Sequence, residues 1–150
     1  MEIKQIDPLK VASIKVRTTL QKIVEHVGST PDTLMQEVSS QNIQPQGPQV
    51  WVYEGCDGQP DSEFDLYISV PIDKFGEASN GIEFSELRSY KCATTIHNGA
   101  WNKLGSSYEK LMKEVEASGN TITGGGREVY LHCDFEDPTK CVTEIQMELN

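Results

Sequence analysis

From Leu9 to Thr18 the chain reads LKVASIKVRT, with apolar residues at nearly every second position, the pattern of a strand with one face turned inward. The period then changes. Leu20, Ile23, Val24 and Val27 fall at i, i+3, i+4 and i+7, a helical stripe that Gly28 can stop. The following STPDTLMQEV predicts a second helical segment, with Thr30 as N-cap, Pro31 at the first helical position and Asp32 in the first turn. Leu34, Met35 and Val38 are its apolar stripe. After the turn-rich NIQPQGP, two more strands are expected, VWVYE from Val50 and FDLYISVPI from Phe64, separated by GCDGQPDSE. Residues 73–86, with their Gly, Ser and Asn, read as a connection.

A second cycle starts at Ser89. SYKCATTIH predicts a strand, and Asn98 and Gly99 stand where a helix would be capped. Trp101, Leu104, Tyr108, Leu111, Met112 and Val115 then share one face of a long helix that ends near Gly119. REVYLHC and CVTEIQMEL close the chain as strands joined by DFEDPTK. The order strand, helix, strand, strand occurs twice, so the second half can be laid on the first. The implied fold is α+β: one domain, 1–150, of duplicated βαββ repeats, the first about 1–80 and the second about 81–150. Pseudo-two-fold symmetry would give antiparallel sheets, one main helix per repeat and a central cleft where the halves meet. With helices on one sheet face, the other is expected to carry Trp51, Tyr53, Tyr67 and Ser69 from the first half and Glu128, Tyr130, Glu144 and Gln146 from the second. That density of aromatic residues marks a binding groove.

Composition narrows the function. A net charge of −10, with no run of Lys or Arg, opposes phosphate backbones and anionic lipid, which excludes nucleic acid as a direct partner. The start MEIKQIDPLKVASIKV has neither a signal-peptide pattern nor an apolar run long enough to span a membrane, so a cytoplasmic protein is expected. Cys56, Cys92, Cys133 and Cys141 form no C-x-x-C pair and are expected as free thiols, although Cys133 and Cys141 flank a hairpin and could approach each other. No metal or cofactor is implied. His26, His97 and His132 lack the pattern of axial haem ligands, and His97 at a strand-to-helix junction is expected to satisfy backbone groups nearby. The glycines 124–126 lack the Lys-Ser/Thr of a phosphate loop and read as a flexible turn.

Taken in order, VRTT before the first helix, GP before the second strand, FDLYISVPI, the run KCATTIHNGAW with its following KL, Y and KL, REVYL, and the closing TEI resemble the GyrI-like small-molecule-binding domains. These also form the effector-binding half of multidrug-sensing transcription regulators. The resemblance spans the chain, and it implies the duplicated βαββ fold with a concave cleft for lipophilic cations and other drug-like molecules. It assigns the cleft's buried carboxylate to Glu128 and, as in some members, a second to Glu144. Ala100-Trp101 stands where Pro-Tyr is common, and MEL replaces an apolar-Pro-apolar ending. The repeats occupy all 150 residues, so a stand-alone binder without a DNA reader is expected, as monomer or homodimer.

A carboxylate among aromatic side chains loses hydration, a cost that a cationic ligand compensates. Stacking on Trp51, Tyr53 or Trp101 would add cation–π attraction of roughly 0.5–2 kcal/mol, and Tyr67 and Tyr130 can hold the carboxylate through their hydroxyls. The candidate binding residues are therefore Glu128, Trp101, Tyr67, Tyr130, Glu144, Trp51, Tyr53 and Tyr108, and the expected ligand is a small amphipathic cation. Two alternatives use the same chain differently. Some relatives hydrolyse strained-ring natural products, in which case Glu128 would be general acid or base, an adjacent tyrosine hydroxyl would polarise the electrophile, and Tyr130 or Trp101 would position the substrate. Others protect gyrase, and a protein partner would then dock on an outer surface.

Overall fold

The computed structural model describes residues 1–150. In chain order it contains β1 (Glu2–Ile6), β2 (Leu9–Thr18), α1 (Ile23–Val27), α2 (Thr30–Ser40), β3 (Val50–Glu54), β4 (Phe64–Pro71), β5 (Ile82–Leu87), β6 (Tyr90–Asn98), α3 (Leu104–Ala117), β7 (Ile122–His132) and β8 (Val142–Leu149). All eight strands join one antiparallel sheet in the order β1-β6-β8-β7-β3-β4-β2-β5. The fold is α+β with two main helices, as expected. Exchanging β3 with β7, β4 with β8, β2 with β6 and β5 with β1 reproduces the same order, so the halves meet at the β3–β7 pair.

Each βαββ unit carries one strand more than the periodicity suggested. β1 adds an edge to the second half by pairing with β6, and β5 adds an edge to the first by pairing with β2. β5 takes up the end of residues 73–86 and runs one residue past it, so that segment is not a plain connection. Both are short strands with charged or polar residues turned outward, the usual form of a protected edge, and this blurs their alternation. At α2 the expected cap shifts by one residue: Ser29 is the N-cap and Thr30 already lies in the helix.

Cross-strand register settles which residues share a face. Ile14, Ile68, Trp51, Glu128, Ile145 and Thr95 stand opposite one another in sequence across β2, β4, β3, β7, β8 and β6. Leu66, Tyr53, Gly126, Met147 and Ala93 form the next row on the same face. Both helices cover that face. Leu34 and Val38 of α2 pack with Phe64, Leu66 and Ile68, while Leu111 and Val115 of α3 pack with Ala93, Ile145 and Met147. Met112, expected on the same stripe, is 43% exposed.

The helix-free face is buried too, near one corner of the sheet. In a flat sheet β1 and β2 would lie six strand spacings, about 29 Å, apart. Asp7-Pro8 alone joins them, a reach of at most about 11 Å. Arg88-Ser89 joins β5 to β6 under the same constraint. The sheet therefore curls over its helix-free side, and the curl buries Val11, Ser69, Val50, Cys92, Arg127 and Gln146 without any helix above them. The glycines 124–126 belong to β7, not to a turn. A register shift separates Ile122 from Gly126, with Gly124 at φ +96°, which is a bulge that only glycine accommodates easily.

Candidate ligand-binding site

On the helix-covered face, midway between α2 and α3, Glu128 is 5% exposed. Three phenols hold it. The Tyr53 hydroxyl donates to Oε1 at 3.0 Å, the Tyr130 hydroxyl to the same oxygen at 2.7 Å, and the Tyr108 hydroxyl to Oε2. Each comes from a different element: Tyr53 from β3, Tyr108 from α3, and Tyr130 from β7, two residues beyond Glu128. Tyr53 stands opposite Gly126, so no side chain rises between it and the carboxylate. A Cβ on Gly126 would sit 3.2 Å from the Gln146 carbonyl, which makes glycine the fitting residue there.

Hydrogen bonds to a charged acceptor are the strong ones, and here they replace the water that burial removes. Burial is the main cause that pushes the Tyr53, Tyr108 and Tyr130 phenols well above their ordinary pKa, and the Glu128 charge adds to it. All three remain donors at neutral pH. No Lys, Arg or His side chain forms an ion pair with Glu128, so its negative charge has no cation in the protein.

Aromatic rings wall the site. Trp51, opposite Glu128, meets Tyr130 edge-on with ring centres 4.9 Å apart, and Trp101 also meets Tyr130 edge-on, at 6.3 Å. Phe135, 82% exposed, leans on Trp101 at 5.7 Å. Two polar atoms here are buried without a partner, the Trp101 Nε1–H and the Thr143 hydroxyl, and Thr143 stands opposite Tyr130. Sequence reasoning did not find Thr143 or Phe135. Their only signal is position, in the last strand and the loop beside Tyr130.

The structure brings together Glu128, Tyr53, Tyr108, Tyr130, Trp51 and Trp101, and it leaves Tyr67 and Glu144 apart. The expected shared face is corrected: Trp51, Tyr53, Glu128 and Tyr130 lie beneath the helices, whereas Tyr67, Ser69, Glu144 and Gln146 lie on the helix-free side. VWVYE and FDLYISVPI are apolar at both parities, so alternation alone cannot say which parity meets the helices; the pairs Trp51–Ile68 and Glu128–Ile145 decide it. Tyr67 stacks under the Lys15 ammonium at 5.9 Å, and Glu144 pairs with Lys4 at 3.7 Å. His97 bonds the Ala100 carbonyl at 2.9 Å and the Ser107 hydroxyl at 2.8 Å, fixing the junction between β6 and α3. The four cysteines are free thiols. No three His, Cys, Asp or Glu side chains gather as a metal-binding set, and no helix is long and apolar enough to cross a membrane.

A family model described as the GyrI-like small molecule binding domain matches residues 1–150. This chain belongs to the GyrI-like family. Among solved structures, the C-terminal domain of EcmrR matches the GyrI-like chain with a TM-score of 0.84 at 21% identity, covering 99% of this chain and 96% of that one. In the EcmrR–DNA complex the same similarity covers 56% of the EcmrR chain, so this chain spans little more than half of that protein. SAV2435, solved bound to tetraphenylphosphonium, matches with a TM-score of 0.65 at 19% identity, covering 99% and 93%. A hydrolase encoded by lin2189 from Listeria innocua matches at 0.60 and 12% identity, covering 99% and 92%. These likenesses establish the fold. A comparison with curated protein sequences gives no match.

Proposed function

We propose that this GyrI-like domain binds a lipophilic organic cation at Glu128. One observation carries the reading: a buried carboxylate, held by three phenolic donors and lacking a cationic partner, lies among Trp51, Trp101 and Tyr130. The cation would complete the carboxylate's charge balance, and the ring faces would add roughly 0.5–2 kcal/mol of cation–π attraction. Trp101 Nε1, buried and unpaired, is available to an acceptor on the ligand. Tyr67 and Glu144, on the opposite face, take no part. A neighbour of the same fold bound to tetraphenylphosphonium supports the choice of ligand class.

Hydrolysis is the weaker reading. Both Glu128 oxygens already accept from phenols, and His97 on β6 is committed to Ala100 and Ser107. Titration with tetraphenylphosphonium should raise the melting temperature and quench tryptophan fluorescence. Glu128→Gln should abolish both responses while circular dichroism stays native. Equal responses in the variant and the wild type would remove Glu128 from the site.

A further inference from the structure

Arg127 precedes Glu128 on β7, so its side chain emerges from the opposite face of the sheet. There it is 7% exposed, inside the curl. Its guanidinium lies over the Tyr90 ring at 4.0 Å and donates from Nη2 to the Arg88 carbonyl in the β5–β6 linker at 3.0 Å. No carboxylate lies within ion-pair distance of it. Glu148, the nearest candidate on that face, is taken by the Arg88 side chain at 2.6 Å, and Glu144 is taken by Lys4. A guanidinium has five N–H donors, and one is used here within the protein. Burial is the main influence disfavouring its charge, and the nearby Arg88 adds to it.

This unpaired cation lines a cleft of about 250 Å³. Ile6, Leu9, Val50 and Val129 form its apolar walls together with Pro48 and Pro71, and Gln46 and Gly47 complete that rim. Gln146, also on the wall, is fixed at both ends: its Oε1 accepts from the Tyr90 hydroxyl and its Nε2 donates to Glu144 at 2.8 Å. Arg127 is the one charged group lining the cleft, and with apolar side chains around it such a group selects a ligand of opposite charge with an apolar body. The protein's net charge of −10 repels anions at long range, but screening confines that effect to about 8 Å at physiological ionic strength.

We propose that this cleft is a second ligand site, taking a small organic carboxylate with its charge on Arg127 and its apolar chain against Ile6, Leu9, Val50 and Val129. The site is independent of the cation reading. It lies on the other face of the same strand, and it would remain if no cation bound at Glu128.

Octanoate titrated into the full chain by calorimetry tests it, with octanol as the uncharged control. Octanoate should bind saturably and about tenfold tighter than octanol. Arg127→Met, which keeps the apolar stem, should erase that preference. Gly47→Leu should weaken binding with the charge intact, because a Cβ there meets only Pro71 Cγ at 3.8 Å and the longer side chain would fill the cleft. Glu128→Gln should bind octanoate as the wild type does. Equal affinity for octanoate and octanol would overturn the proposal. So would wild-type octanoate binding in Gly47→Leu, a result that stands even if Arg127→Met fails to fold. Loss of octanoate in Trp101→Ala, together with its displacement by tetraphenylphosphonium, would place it in the tyrosine cage and overturn the proposal equally.

Discussion

In the half built on β2 to β5, Phe64, Leu66, Ile68 and Val70 line up along β4 beneath α2 and join Leu34, Val38 and Ile82 in one continuous apolar core. In the half built on β1 and β6 to β8, the corresponding space under α3 holds a smaller cluster around Leu111, Val115 and Ile145. The remainder of that space goes to Glu128, His97 and Thr143, all buried. The two halves share a strand order, yet one is filled as a scaffold and the other as a site. Joining two halves in one sheet thus allows a polar interior that a lone half of this size would hardly tolerate, because the other half supplies most of the apolar burial.

The sharpest way to break this comparison is to truncate each core. Phe64→Ala should cost about 3–5 kcal/mol in urea denaturation and Leu111→Ala about 2–5 kcal/mol, with the first the larger. A reversed order would mean that the second half is the anchor. Next in size is Tyr108→Phe, which removes the only donor that α3 sends to Glu128 and should cost about 1.5–3 kcal/mol. A loss below about 0.5 kcal/mol would show that the carboxylate does not depend on the helix for its partner.

The smallest effect should come from alkaline pH. Tyr53, Tyr108 and Tyr130 hold their protons more tightly folded than unfolded, chiefly through burial. Their contribution is complete below the unfolded phenol pKa of about 10 and declines as pH rises beyond it, as the unfolded state ionises first. Near-ultraviolet titration should therefore show these phenolates appearing together with unfolding. Gradual ionisation in the folded protein would contradict the cage.

Much of this was legible in the residues. REVYLHC alternates cleanly, which sets Glu128 and Tyr130 on one side of the strand and Arg127 and Val129 on the other. The helix stripes and the doubled order were equally plain. What remained hidden has physical causes. β3 and β4 sit in the middle of a sheet buried on both faces, so hydrophobicity carries no parity there, and Tyr67 was grouped with Trp51 although register separates them. β1 and β5 are edges, whose outward charges conceal their alternation. Nothing in the pattern singles out Arg127, because the curl that buries it follows from two short linkers, which no periodicity records.

Those linkers also bear on how the chain reaches its native state. β1 must wait for residues 90–94 before it has a partner, whereas β2 finds both of its partners, β4 and β5, within the first half. The first half can therefore complete its own pairings as it leaves the ribosome, whereas β1 stays unpaired until the second half is made, and a pairing this distant in sequence slows the search. An early, unpaired β1 offers its edge to any β6 within reach, including one on a neighbouring copy. Refolding yield should accordingly fall as protein concentration rises.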